Sequence, residues 1–217
     1  GPIATSAYDC GMILNAMAGF DPRDSTSQRT ESVDYCALMN TNNGKIGRKP
    51  LEDMVLGIPR EYSKAIYSQD VALAFQESIQ TYEKLGATVK DVSLPHANHS
   101  VAAYYVIAPA EASSNLSRFD GVKFGFRNSQ ANTLDDLYFN TRSEGFGEEV
   151  KRRILVGTFV LSHGYYDAYY NQASKVRRLV LSDFKSAFED CDFLLSPSSP
   201  VLAWDLKAQP DFGTSFN

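Results

Sequence analysis

Between residues 54 and 94 the chain reads as strand, helix, strand, and that order admits few arrangements. Met54, Val55, Leu56, Gly57 and Ile58 form a short apolar run stopped by Pro59, the pattern of a buried strand. Asp70 then offers a helix N-cap, and Val71, Phe75, Ile79, Tyr82 and Leu85 recur on one helical face before Gly86 ends the run. Residues 88–94 resume as a strand, with Val92 and Leu94 alternating toward one side. Two strands joined by a helix become parallel neighbours with a right-handed crossover. The fold class expected is therefore α/β.

The flanking segments are read from caps and periodicity. Thr5 or Ser6 caps a first helix, with Asp9 in a capping-box relation to Ser6. Tyr8, Met12, Ile13, Ala16 and Met17 share one face, and Gly19 supplies a left-handed end. Turn residues fill 21–27, and the whole polar stretch 21–50 is expected as an extended surface connection with a turn at Asn42-Asn43-Gly44. Residues 101–190 are mostly helical. One helix covers 102–117, interrupted by Pro109; Thr133 caps another that carries Leu134, Leu137 and Tyr138. Gly145-Phe146-Gly147 marks a boundary, after which Val150, Ile154, Leu155 and Phe159 repeat. A long amphipathic helix spans 166–189, with Tyr169, Ala173, Val176, Val180, Phe184 and Phe188 inward. A last strand and tail occupy 191–217, the strand at 192–196. Three strands are few for a chain of 217 residues, which points to an incomplete sheet and a fragment.

Composition removes several function classes. Hydrophobic residues make up 43% of the chain, enough for a real core. A net charge of −5 argues against non-specific phosphate binding by the whole surface. No run approaches the ~20 apolar residues of a membrane helix. Cys10, Cys36 and Cys191 form no CxxC pair, so unpaired thiols and a cytoplasmic setting are expected. His96 and His99 have no accompanying ligand cluster, so no metal site is expected; His163 is read as a helix cap. There is no GxSxG, P-loop or GxGxxG, and the serine pairs at 113–114 and 198–199 have no general base beside them. What remains is a polar constellation of Tyr104, Glu111, Asn115, Arg118, Arg142, Glu144, Arg152 and Arg153. An arginine near a helix's inner face holds a carboxylate bidentately. The competing reading is an ordinary surface network, with Arg153 paired to Glu149 or Glu148.

Longer strings narrow the choice. Asp24-Ser25-Thr26-Ser27, the run 111–121 (EASSNLSRFDG), Arg142-Ser143-Glu144-Gly145-Phe146-Gly147, Glu149-Val150-Lys151-Arg152-Arg153-Ile154 and Gly164-Tyr165-Tyr166-Asp167-Ala168-Tyr169-Tyr170 occur in this order. Together they resemble the A subunits of aspartyl/glutamyl-tRNA amidotransferases, in the amidase signature family. The resemblance runs from Gly1 to about Pro200. It implies a fragment of an α/β/α sandwich with a mixed sheet, one partial amidase domain over 1–217. It also implies a Ser–cis-Ser–Lys triad on a Gly/Ser-rich segment, and Gly1-Pro2 resembles the Gly-Pro that follows that segment. No catalytic residue is then expected in this chain, which alone would be inactive.

The family's reaction frees ammonia from glutamine by acyl transfer to serine. A B subunit, using ATP and Mg, amidates Glu-tRNA(Gln) or Asp-tRNA(Asn) and makes most of the tRNA contacts, and a C subunit wraps the pair. By the same resemblance Arg153 grips the glutamine α-carboxylate and Tyr104 hydrogen-bonds it, with Tyr105 as the alternative under a one-residue slip. The family's aspartate for the α-amino group falls past Asn217. Glu111, Asn115 and Arg118 are assigned to packing and internal hydrogen bonds. This chain itself is expected to hold no cofactor and no metal and to contact no membrane. Two other functions fit less well: an amide hydrolase of the same family without a tRNA partner, and a non-catalytic module binding a protein through Tyr165 to Tyr170.

Overall fold

The structure, a computed structural model, describes residues 1–40 and 49–203, so the turn expected at Asn42-Asn43-Gly44 and most of the tail lie outside the described residues. The chain divides into two compact units, Gly1–Pro50 and Leu51–Asn217.

In the first unit, helix α1 spans Ala7–Met17 and begins at the expected cap. The Ser6 hydroxyl oxygen accepts the Asp9 N–H at 3.1 Å and donates to the Asp9 carboxylate at 2.8 Å. Ala18 leaves the helix in extended conformation. Gly19 follows with φ +153°, a positive value that favours glycine yet lies far from the compact left-handed terminator expected there. Two Asx turns follow, in which Asp21 and Asp24 accept the Arg23 and Thr26 N–H groups at 2.9 Å. The stretch read as wholly extended contains a short helix, α2 (Tyr35–Asn40). Asp34 starts it by accepting the Ala37 N–H at 3.1 Å, and Asn15 of α1 bonds both Asp34 and the Tyr35 N–H. Small residues decide which face of α1 is covered: Gly11 is buried against Cys36 and Met39 of α2. The apolar stripe of Tyr8, Met12, Ile13 and Met17 read from the periodicity is consequently exposed.

The second unit is built on a three-stranded sheet in the order β2-β1-β3, with β1 at Val55–Pro59, β2 at Thr88–Val92 and β3 at Phe193–Leu194. Val55 lies opposite Thr88 and Leu56 opposite Phe193, and both pairings are parallel. The sheet expected to be mixed is thus parallel among the described residues. Leu56 and Ile58 of the central strand are buried, as its unbroken apolar run requires. Gly57 has no room for a side chain, since a Cβ there would lie 2.8 Å from both Cys191 Sγ and Leu194 Cδ2. Val92, Leu94, Ala97, Ala187 and Cys191 form the core beneath. Cys10, Cys36 and Cys191 are all free thiols, and burial pushes the Cys191 thiol above its ordinary pKa.

Helix α3 (Arg60–Lys64) follows β1 directly, and its Glu61 accepts the Leu94 N–H and the Ser93 hydroxyl at 2.8 Å each. Helix α4 (Gln69–Lys84) is the crossover between β1 and β2. Its cap is Ser68, whose oxygen accepts the Val71 N–H, and not Asp70. Asp70 sits in the first turn, where its charge meets the positive helix end. Val71, Phe75, Ile79 and Tyr82 are half-buried as the periodicity predicts, while Leu85 is exposed.

After a 3₁₀ turn at Ala97–His99, α5 runs over Ser100–Leu116 without interruption at Pro109, which is buried inside it. The proline removes one backbone bond, and the packing around it carries the helix through. Helix α6 (Leu134–Gly145) starts at Thr133, whose hydroxyl oxygen accepts the Asp136 N–H at 3.1 Å. Helix α7 covers Glu148–Val160. Its covered stripe is Val150, Ile154, Gly157 and Val160, while Leu155 and Phe159, which repeat at the same spacing, are exposed. Gly157 explains the rotation: a Cβ there would sit 2.5 Å from the Pro109 carbonyl carbon and 2.7 Å from Ser113 Cβ, so the two backbones touch. The long helix expected over 166–189 is a π-helical turn, Tyr166–Asn171, followed by α8, Gln172–Asp190. Ala173 is buried and Val176, Val180 and Phe184 are half-buried as expected, but Tyr169 and Phe188 are exposed. Ala103, Ile107 and Ala173 join α5 to α8 in a second core cluster. Among the described residues no helix is long and apolar enough to cross a membrane.

Candidate functional site

Two helices set the site. Tyr104 lies one turn into α5 and Arg153 in the second turn of α7, and the Gly157–Pro109 contact lets the helices approach closely. A hydroxyl pair, Ser113 Oγ to Thr158 Oγ1 at 2.9 Å, fixes the same interface. The result brings together residues 49 positions apart: Arg153 Nη1 donates to the Tyr104 hydroxyl oxygen at 3.3 Å. Since that oxygen accepts from arginine, the phenol proton remains available to donate elsewhere.

Glu149 completes the group. Its Oε1 accepts from Arg153 Nε at 2.9 Å and its Oε2 from Arg152 Nη1 at 2.9 Å. These are the i,i+4 and i,i+3 spacings at which helical side chains meet. The three charged residues line one cavity of about 730 Å³ with Tyr104, Tyr105, Pro109 and Val156. Tyr105 packs edge-on to Tyr104, with ring centroids 5.4 Å apart. Both tyrosines therefore border the same space, and Tyr104 is the one that bonds Arg153.

The electrostatics favour an anion. The hydrogen bond from Arg153, together with the nearby Arg152 and Arg153 charges, holds the Glu149 carboxyl below the usual carboxylate range. In return the bonds to Glu149 and Tyr104 raise the Arg153 guanidinium further. Two guanidiniums against one carboxylate leave the lining with a net positive charge. Arg153 keeps 40% of its side-chain surface exposed, so the group opens to the cavity. A guanidinium carries five N–H donors, and two of those on Arg153 have partners among the described residues. The cavity lining includes no serine, threonine, cysteine, lysine or histidine. The arrangement can bind a carboxylate.

The rest of the predicted constellation separates from this site. Arg142 closes the end of α5, donating to the Leu116 and Phe119 carbonyls at 3.0 Å and lying over the Phe146 ring. Arg118 Nε donates to the Asn115 carbonyl at 3.2 Å, and Glu144 accepts from Asn128 at 2.8 Å. Glu111 and Asn115 border a different, smaller cavity with Tyr166 and Tyr170. His96 Nδ1 lies 2.9 Å from Asp183, whose other oxygen accepts the His96 N–H at 2.7 Å. His163 does not cap α7: the Leu161 N–H on the Gly157 carbonyl closes the last turn, and His163 is exposed beyond it. No group of three metal-ligating side chains occurs among the described residues. Sequence reasoning named Glu149 only as a rival partner for Arg153, and it missed Asp183, a buried carboxylate on a face read as apolar.

The Amidase family profile matches residues 1–215. The A subunit of the glutamyl-tRNA(Gln) amidotransferase of Janthinobacterium sp. (strain Marseille) is 55% identical over 97% of the chain and 42% of its own length. Its counterpart of the same name from Herminiimonas arsenicoxydans is 56% identical over the same shares. The crystal structure of the glutamyl-tRNA(Gln) amidotransferase A subunit from Thermotoga maritima superposes with a TM-score of 0.67 at 34% identity, over 100% of this chain and 40% of that one. The chain thus spans about two-fifths of the length of these relatives.

Proposed function

The chain belongs to the amidase family, and on that footing we propose that it is the glutamine-binding part of the A subunit of a tRNA-dependent amidotransferase. The Arg153–Tyr104 contact at the cavity carries this reading. Free glutamine differs from a peptide amide by its charged α-groups, and a guanidinium fork reads a carboxylate with two parallel bonds. Arg153 takes the α-carboxylate, and Tyr104, with its proton free to donate, adds a third bond to the same group. The names of the relatives supply the reaction class.

In the whole protein the amide of glutamine is split by acyl transfer to a serine that these 217 residues do not contribute. The ammonia passes to a B subunit, which uses ATP and Mg to amidate Glu-tRNA(Gln) or Asp-tRNA(Asn); a C subunit completes a cytoplasmic complex. Replacing Arg153 by lysine in the intact protein tests the reading. Lysine keeps the charge and loses the planar fork, so KM for L-glutamine rises by about 10-fold or more, the worth of one charge-assisted bond. Discrimination between L-glutamine and L-glutaminamide, whose α-carboxylate is blocked, falls in parallel. An unchanged KM with unchanged discrimination would remove the clamp. Equal hydrolysis of simple amides by the unsubstituted protein would point instead to a hydrolase without a tRNA partner.

A further inference from the structure

The same cavity carries a second assignment, which rests on the glutamine reading above. Glu149 stands in the first turn of α7, one turn before Arg153, and both its oxygens are engaged. Neither oxygen reaches into the cavity alone, as a direct ligand for an ammonium group would. Instead Oε1 takes the Nε edge of Arg153 and turns the Nη end toward Tyr104. A free arginine samples many rotamers, and a site that must read a carboxylate in one plane loses affinity for each of them. We propose that Glu149 is the positioning residue of the site, holding the Arg153 guanidinium against Tyr104 and offsetting Arg152, so that the cavity presents a net charge matched to one carboxylate.

Three observations support this role over a merely structural one. Glu149 is exposed over 57% of its side-chain surface and Arg152 over 74%, and exposed helical pairs contribute little to stability. The fold therefore does not need Glu149. Its partners both line the cavity, and neither bond connects α7 to another helix. And among the described residues Arg153 makes one hydrogen bond across the interface, to Tyr104 at 3.3 Å, long for such a bond and too weak to orient the fork unaided.

The test uses the intact protein and follows glutamine hydrolysis at varied L-glutamine for Glu149→Ala, Glu149→Gln and Arg153→Ala, with thermal melts of each. Glu149→Ala is expected to raise KM about 10-fold while kcat stays within about threefold. Glu149→Gln keeps an acceptor for Arg153 Nε but loses the charge that offsets Arg152, and is expected to recover only part of that loss. Arg153→Ala is expected to raise KM at least as far, with no further rise in the double variant. An unchanged KM for Glu149→Ala, or a melting temperature that falls in step with activity and is not restored by glutamine, overturns the positioning role while leaving the clamp intact. An unchanged KM for Arg153→Ala overturns the clamp itself, and the positioning role with it.

Discussion

Among single residues, the proposed site is a chain of donors with a direction: the guanidinium donates to the phenol oxygen, which leaves the phenol proton for a ligand. Removing only the last donor isolates its worth. In Tyr104→Phe the ring keeps its packing on Tyr105 and the ligand loses one bond to a charged group, so KM for L-glutamine rises about 10- to 100-fold with kcat little changed. A pH series on KM checks the carboxylate. Glu149 titrates below the ordinary carboxylate range because Arg153 bonds its ionised form. KM therefore stays level as pH falls through the usual glutamate range and climbs only below it, in a step that Glu149→Gln lacks. Residue identity made Arg153 and Tyr104 candidates in the sequence, and resemblance assigned them roles. Their meeting across 49 positions followed from that resemblance and not from periodicity or spacing, because it depends on how two helices rotate against each other.

That rotation is a property of helices and strands as units. Several caps and turns were legible because their physics is local: Ser6, Thr133 and the Asx turns at Asp21 and Asp24 form as their neighbours dictate, whereas the α4 cap is Ser68 and not Asp70. Helix faces were less so. On α1 and α7 the covered stripe is chosen by a glycine that admits another element closely, and periodicity weighs a glycine as nothing. Short helices such as α2 and α3 carry too few residues for a period to appear. The glycine effect has a direct check. Gly157→Ala drives a methyl into the Pro109 carbonyl, and about 1–3 kcal/mol of overpacking strain or more is expected, read as a lower melting temperature. Glu61 gives a second check, at the junction of α3 with the end of β2. Burial alone would raise its pKa, but the Leu94 N–H and Ser93 hydroxyl bond its ionised form and the net shift is downward. A depressed native pKa means that the contribution is full above the unfolded value and is lost as pH falls through the native one. Glu61→Gln should therefore lower stability near neutral pH and flatten its decline under acid, in urea melts taken across that range.

For the molecule as a whole, the parallel three-stranded sheet and the helices around it agree with the strand–helix–strand order read first, and the amidase family accounts for that agreement. On the proposed reading, in which the attacking serine is not among these residues, the 217-residue chain is expected to release no ammonia from glutamine. A coupled assay for ammonia at millimolar glutamine reads this directly, and turnover that disappears in Arg153→Ala would contradict it. The backbone contact between Pro109 and Gly157 also limits how such a protein can change. It lies about one turn beyond both Tyr104 and Arg153, so it acts as the rivet of a pair of tongs whose jaws are those two side chains. With the rivet set where Gly157 has no side chain, exchanges among the cavity's lining residues alone do not spread the jaws. A lineage that moves to a bulkier amide must recarve the walls at Tyr105 or Val156, and the gape between the tips stays as inherited.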